Sequence, residues 1–420
     1  MRFIYNIIMC FAKSALPLIA MFSPKIKLFY EGRKNLLQNI ENEINGDSSP
    51  KAWFHSASLG EFEQGYPVIE KFMAKNPYVK IIVTFFSPSG YTVKKQCKQC
   101  KQIDYIFYMP YDTIGDAKKF IKLINPVFAV FIKYEFWANH LYYLKKYNIP
   151  IYSISSIFRE KQVYFKFYGA FFRRNLKYFS HFFVQDENSE KLLASVGIGN
   201  ASVTGDTRFD RVLKIMADSE RIKPVEQFVD NKMCIVAGST WQPDEEIIVE
   251  YVRQNSNIKL IIAPHEVKPE NIARIGNLFG NRSTVFSEIT ENDDLSESNV
   301  LIIDNMGMLS SLYRYGKIAY VGGGFGAGIH NVLEAATYGV PVIFGHNYQK
   351  FSEAVDLINL GAAFPVNSAT ELTAKIELLL TDSEQLKSSG EKAKKYVCEH
   401  AGATEIIVQM LTDNYNNRQT

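Results

Sequence analysis

Short apolar runs alternate with amphipathic stretches along most of this chain, and they do so in two separate series. The first series is Ala52–His55, Val79–Val83, Tyr105–Tyr108, Val127–Ile132, Ile149–Ile154 and His181–Val184. The second is Met233–Ala237, Lys259–Ala263, Val300–Ile303, Ile318–Val321 and Val340–Phe344. Runs of this length read as buried strands, and helical segments between them call for parallel sheets covered on both faces. Between the series, Asp206–Lys232 is charged and weakly periodic and contains Pro224, which places a linker there. Thr381–Asn417 carries at least one closing helix and no strand signal. The expected fold class is therefore α/β, two Rossmann-like parallel-sheet domains facing a central cleft. A length of 420 residues accommodates two or three domains.

Open α/β sheets bind ligands outside the carboxyl ends of their strands. The residues there are unusual. In the first half, one run leads into His55-Ser-Ala-Ser-Leu-Gly-Glu61, another into Ser87-Pro-Ser-Gly90, and a third into Lys133-Tyr-Glu-Phe-Trp-Ala-Asn139. Two carboxylates, Glu61 and Glu135, thus fall at strand ends of one sheet. In the second half the ends are Gly238-Ser-Thr240, Pro264-His265, Asp304-Asn-Met-Gly307 and the run Gly322-Gly-Gly-Phe-Gly-Ala-Gly-Ile-His-Asn-Val-Leu-Glu334. Glycines at a strand-to-helix turn let backbone N–H groups approach a phosphate. Asn331–Tyr338 reads as the helix that follows, with Glu334 placed to accept hydrogen bonds from a ribose. Glycine, imidazole, amide and carboxylate in this order point to a nucleotide-sugar site.

Composition narrows the function classes. A net charge of +3 excludes a whole-chain nucleic-acid binder by charge. Five cysteines at irregular spacing fit a reducing compartment and no disulfide framework. Cys97-x-x-Cys100 reads as a pair of solvated helix cysteines ahead of a zinc half-site. Phe3–Phe22 is strongly apolar and barely long enough to span a bilayer. Asn6, Cys10, Lys13, Ser14 and Pro17 share one helical face, which favours a helix lying in the membrane interface over a cleaved signal or a core helix. Lys25, Lys27, Arg33 and Lys34 follow, placed to meet anionic headgroups. Arg159, Lys161, Lys166, Arg173, Arg174 and Lys177 stand among Phe and Tyr; they suit a phosphorylated lipid and a solvated amphipathic helix equally well.

Taken in order, the strand-end motifs, with Met109-Pro-Tyr-Asp112, Gln185-Asp-Glu187, Val203-Thr-Gly-Asp206, Arg208-Phe-Asp210 and Ala237-Gly-Ser-Thr240, resemble those of the bacterial Kdo (3-deoxy-D-manno-octulosonic acid) transferases over essentially the whole chain. The resemblance implies a GT-B fold, CMP-Kdo as donor substrate and a lipid A precursor as acceptor. It also implies residence on the cytoplasmic face of the inner membrane, anchored by the N-terminal apolar segment. It divides the chain into a membrane helix (1–24), an acceptor domain (25–210), a linker (211–232) and a donor domain (233–420) whose last helix could pack back on the acceptor domain. Carried over by motif, Glu61 is the general base of an inverting transfer and Glu135 a second carboxylate of the site. Ser58, Gly60, Ser87, Ser89 and Arg208 fall to the acceptor. Ser239, Thr240, His265, Met306, Gly307, Gly323, Gly324, His330, Asn331 and Glu334 fall to the donor. No cofactor is implied, no metal is expected, and no nucleic acid is a partner.

Two departures stand out. The family often has Arg-His after the Ala-Pro that ends the second donor strand, where this chain has Ala263-Pro-His265-Glu266. The glycine run also lacks the basic residue many members carry before Gly-His-Asn. The rival readings are a GT-B enzyme using a UDP-sugar and a catalytically silent membrane-tethered scaffold. Removing the first 22 residues is expected to release the chain into the soluble fraction without unfolding it, with activity falling on acceptor in vesicles and much less on a dispersed acceptor.

Overall fold

The computed structural model describes residues 1–92, 99–290 and 293–418. The chain divides into two compact units, Met1–Asp210 together with Ala401–Thr420, and Arg211–His400. In the first unit seven parallel strands form one sheet: β1 (Lys51–Ser56), β2 (Lys80–Phe85), β3 (Tyr105–Tyr108), β4 (Phe128–Ile132), β5 (Ile151–Ser156), β6 (His181–Val184) and β7 (Ala201–Val203). Their order is β3-β2-β1-β4-β5-β6-β7, so the direction of winding reverses between β1 and β4. The second unit repeats the plan with β8 (Cys234–Thr240), β9 (Lys259–Pro264), β10 (Ser283–Val285), β11 (Val300–Ile302), β12 (Ile318–Val321), β13 (Val342–Gly345) and β14 (Ala363–Val366). Its order is β10-β11-β9-β8-β12-β13-β14, and the reversal lies between β8 and β12.

The central strands are buried on both faces, as near-continuous apolar runs require. Alternate residues of β1 and β4 serve opposite cores. Trp53, Ala129 and Phe131 pack with Phe120, Leu141 and Leu144. Ala52, Phe54, Phe128, Val130 and Ile132 pack with Phe62, Ile69 and Phe72 on the other side. The closing helix Ala403–Asn416 joins that second core through Ile407, Val408 and Leu411. Asp210 caps it by accepting from Gly402 N at 2.7 Å and Thr404 N at 2.9 Å. The second unit has its own core around Ile235, Ile248, Leu260, Tyr320 and Ile343. The segment expected as a linker is helical, Thr207–Asp218 and then Lys223–Val229.

Helix α1 (Arg2–Ala20) is long and apolar enough to cross a membrane by length and composition, yet only Ala20 is buried. Phe3, Ile4, Ile7, Ile8, Phe11, Leu18 and Ile19 are exposed. The polar side meets the first unit: Tyr5 bonds Asp112, Asn6 bonds Asn139 and Lys13 pairs with Asp116. Such bonds contribute about 0.5–1.5 kcal/mol each. A buried Leu or Phe contributes roughly 1.5–3 kcal/mol, so α1 is lightly held compared with any helix of the cores.

Two expectations are corrected here. Arg33 does not face solvent. It is buried, donates to the carbonyls of Phe29, Phe86 and Met109, and lies over the rings of Phe29 and Tyr108. Lys25, Lys27 and Lys34 are exposed. Cys100 is buried in a short 3-10 turn and not solvated, packing with Phe62 and Phe85; Cys97 lies outside the described residues.

Candidate functional site

The winding reversal of the first sheet places two loops side by side, one after β1 and one after β4. The first ends in the helix Leu59–Lys75, whose N-cap is Ser58. The Ser58 hydroxyl accepts from Glu61 N at 3.4 Å, and Glu61 Oε2 accepts from Ala57 N at 2.7 Å. Glu61 therefore fixes its own loop, as a helix-start carboxylate does. Gly60 beside it faces open space.

The second loop leaves β4 at Lys133, whose φ of +64° is left-handed without being glycine. The hydroxyls of Ser153 and Ser156 donate to its carbonyl at 3.0 and 2.7 Å and hold that turn. Glu135 and Trp137 follow. Burial is the main cause that lifts both carboxyls. Glu135 is pushed up to about 7, with the charge of Glu61 as second cause. Glu61 is also raised, tempered by the Ala57 N–H, the Lys133 ammonium and Ser58. The Trp137 indole donates to His55 Nε2 at 3.3 Å. His55 then carries its proton on Nδ1 and donates to Thr84 Oγ1 at 2.9 Å.

The other first-unit residues lie less centrally. Ser87 accepts from Gly90 N at 3.4 Å at the start of Pro88–Thr92; the side chain of Ser89 lies outside the described residues. Arg208 is paired with Asp206 at 2.7 Å, and Asp206 also takes Gln64 Nε2 at 2.7 Å. Arg208 thus bears on the β7 end of the sheet through a carboxylate already tied to the Glu61 helix.

In the second unit the reversal lies between β8 and β12, and the glycine turn follows β12. Gly323 has φ +92°, open to glycine, and a Cβ on Gly324 would strike the backbone of Gly345. Asp244 fixes the turn: its Oδ2 accepts from Gly323 N and from Trp241 N, both at 2.9 Å, and its Oδ1 accepts from Tyr320 at 2.7 Å. Ser239 ends β8 in a left-handed conformation at φ +52°. Thr240 is buried and donates to Glu245 at 3.0 Å.

Over the turn, Trp241, His265 and His330 form a stack with centroids 4.7 and 4.3 Å apart. Trp241 Nε1 donates to His330 Nε2 at 3.0 Å. Burial, and then the charge of His265, lower His330 to about 4. His330 is therefore neutral at pH 7, with its proton on Nδ1. Glu334 accepts from Ser310 at 2.7 Å and from Asn331 at 3.1 Å. Its helix is one turn, Leu333–Ala336, shorter than the expected Asn331–Tyr338, so the turn backbone and not a long helix presents the N–H groups. Met306 is 86% exposed, and Gly307 has φ +91°. Among the described residues no group of three His, Cys, Asp or Glu side chains could hold a metal ion.

Residues 31–211 match the family described as 3-deoxy-D-manno-octulosonic-acid transferase, and residues 248–396 match the group 1 glycosyl transferases. The 3-deoxy-D-manno-octulosonic acid transferase of Rickettsia felis is 25% identical over 86% of this chain and 78% of its own length. That of Aquifex aeolicus is 27% identical over 80% and 87%. Residues 31–211 thus carry the Kdo transferase family's domain, and the chain is similar to Kdo transferases over four-fifths or more of its length. Its fold is that of GT-B enzymes. MnaA of S. aureus, solved with UDP, superposes with a TM-score of 0.57 over 87% of this chain and 97% of its own, at 14% identity.

Four residues that hold these segments lie outside the expected site. Lys133 and Trp241 look like ordinary loop residues until the left-handed turn and the ring stack are seen. Asp244 had a legible signal: Trp241-Gln-Pro-Asp244 is a helix start with proline at N1 or N2 and an acid at N3. Asp112 stands in a quoted motif, but its partners are distant in sequence.

Proposed function

We propose that this chain moves Kdo from CMP-Kdo to a lipid A precursor on the cytoplasmic face of the inner membrane, with inversion at the anomeric carbon. The observation that carries the reading is the carboxyl pair at the first winding reversal. Burial and the charge of Glu61 push Glu135 up to about 7, and burial raises Glu61 as well, tempered by the Ala57 N–H and the Lys133 ammonium. Glu61 is then the general base. It takes the proton of the acceptor hydroxyl as that oxygen attacks, and the bond to the CMP phosphate breaks with its electron pair leaving on CMP. Glu135, protonated, donates a hydrogen bond that orients the acceptor. Ser58, Gly60, Ser87 and Arg208 line the acceptor's side.

On the donor's side, the N–H groups of the Gly323–Gly324 turn, Gly307 and the Nδ1–H of His330 receive the phosphate. Ser239, Thr240, His265, Met306 and Asn331 surround the nucleotide, and Glu334 takes the ribose hydroxyls by exchanging its bonds to Ser310 and Asn331. The exposed Phe3, Ile4, Ile7, Ile8 and Phe11 face of α1 enters the lipid interface, with Lys25, Lys27 and Lys34 on the headgroups.

The test is incubation of the membrane fraction with CMP-Kdo and a tetra-acylated lipid A precursor, read by product mass. Addition of one or more Kdo units supports the proposal. Turnover only with a UDP-sugar, or no turnover with either, overturns it in favour of another transferase or a scaffold.

A further inference from the structure

Helix α1 grips the first unit through three polar side chains at its start. The Tyr5 hydroxyl donates to Asp112 Oδ2 at 2.6 Å, Asn6 Oδ1 accepts from Asn139 Nδ2 at 2.7 Å, and Arg2 reaches Asn139 Oδ1 at 3.4 Å. Asp112 and Asn139 are both buried. Asp112 is the hub of the contact. Its Oδ2 also accepts from Asn139 N at 3.0 Å, and its Oδ1 accepts from His140 N at 3.0 Å and meets His140 Nδ1 at 2.6 Å. Its carbonyl accepts from Asn139 Nδ2 as well.

Asn139 and His140 open the helix Ala138–Lys146, and the loop that enters this helix holds Glu135 and Trp137. Trp137 is fixed at its other side by His55 and by Phe86, whose ring lies 4.7 Å away. Hydrogen bonds thus run from α1 through Asp112 to Asn139 and His140, and the covalent chain continues from Asn139 back through Trp137 to Glu135. The same helix exposes its apolar side and fully buries only Ala20; besides these bonds it is held by Tyr5 against Phe171, Arg2 over Tyr142 and the Lys13–Asp116 pair.

We propose that the seating of α1 sets the position of Glu135. Docked on Asp112 and Asn139, α1 holds the loop so that Glu135 stands beside Glu61; undocked, it lets the loop relax, and turnover falls. Tyr5, Asn6 and Asp112 are positioning residues that act through the loop. Because the lipid-facing and Asp112-facing sides belong to one helix, engagement with the membrane and the geometry of the carboxyl pair are coupled.

The proposal rests on the Kdo-transfer reading for its assay. The full chain is assayed with CMP-Kdo and detergent-dispersed tetra-acylated lipid A precursor, so that attachment is not limiting. Tyr5→Phe and Asn6→Ala should each lower kcat about tenfold, the scale of a small misplacement of a reacting group. The KM for CMP-Kdo, flotation with anionic vesicles and the cooperative melt should be unchanged. Asp112→Asn should lose more; if it does not fold, Tyr5→Phe, which removes one oxygen, decides the matter. Lys13→Ala breaks the more exposed pair with Asp116 and the contact over the Tyr111 ring, farther along α1, and should leave kcat as it was. Tyr5→Phe and Asn6→Ala with the kcat of the unaltered chain would overturn the proposal, and so would a Lys13→Ala loss as large as theirs. No turnover by the unaltered chain would instead overturn the reading of the reaction.

Discussion

Two carboxyl groups at neighbouring loop ends in a half-buried place cannot both ionise without cost, and the proton settles where the surroundings favour it least for charge. Glu61 has an N–H donor in Ala57 and the Lys133 ammonium nearby; Glu135 has the Trp137 indole and faces the like charge of Glu61. Glu61→Gln should therefore lower turnover by about two to four orders of magnitude, the range for removal of a general base. CMP affinity by calorimetry should stay the same; most of the turnover retained would leave Glu61 only its loop-fixing role. Glu135 also carries a stability signature. Its folded pKa, about 7, is above the ordinary 4.5. The folded chain thus holds the proton more tightly, and the stability this gives is present below pH 4.5 and lost as pH rises through about 7. Glu135→Gln cannot ionise. It should gain up to about 3 kcal/mol over the unaltered chain at pH 8 and almost nothing at pH 4, in denaturant melts at the two values.

At the scale of elements, the sites are set by where each sheet reverses its winding. The central strands were legible because β1, β4, β8 and β12 are apolar on both faces and leave runs no surface strand would have. β7, β10 and β14 were not: Ala201–Val203 and Ser283–Val285 are three residues long, at most half-buried and broken by hydroxyl residues, and Ala363–Val366 is a four-residue run with a proline inside it. The strand-end motifs stand out in the sequence because glycine and small polar residues interrupt the apolar runs there; at Gly324 the reason is packing, since a Cβ would strike the backbone of Gly345. What depends on distant partners could not, as with Arg33 turned inward among aromatic rings or Asp112 gathering bonds from residues 5, 139 and 140. Asp244 belongs to the same class. Asp244→Ala would leave Gly323 N, Trp241 N and the Tyr320 hydroxyl short of an acceptor. A loss of at least about 2 kcal/mol in stability should follow, at about 1–3 kcal/mol for each buried unmet group. Glu334→Ala should weaken CMP by roughly 1.5–3 kcal/mol, the range for a charge-assisted bond. Unchanged calorimetric affinity would move the ribose elsewhere.

For the whole molecule, α1 separates two questions that a membrane enzyme usually joins: whether the chain folds, and whether it is where its acceptor is. Each unit has a core that owes almost nothing to α1, since only Ala20 of that helix is buried. Deleting Met1–Phe22 should leave a cooperative melt and move the chain to the soluble fraction. Residual attachment through Lys25, Lys27 and Lys34, together with the exposed Arg159, Lys161, Arg174 and Lys177, should weaken with salt, since exposed charges are screened beyond about 8 Å at physiological ionic strength. An anchor and nothing more would leave turnover on a detergent-dispersed acceptor nearly intact. The bonds from Tyr5 and Asn6 to Asp112 and Asn139 lead to the opposite expectation. The truncated chain should lose at least the tenfold of Tyr5→Phe on dispersed acceptor, and more on acceptor in vesicles, where the shared surface is lost as well. Full turnover on dispersed acceptor after the deletion would return α1 to the role of a tether, and an aggregated or non-cooperative product would make it part of the fold.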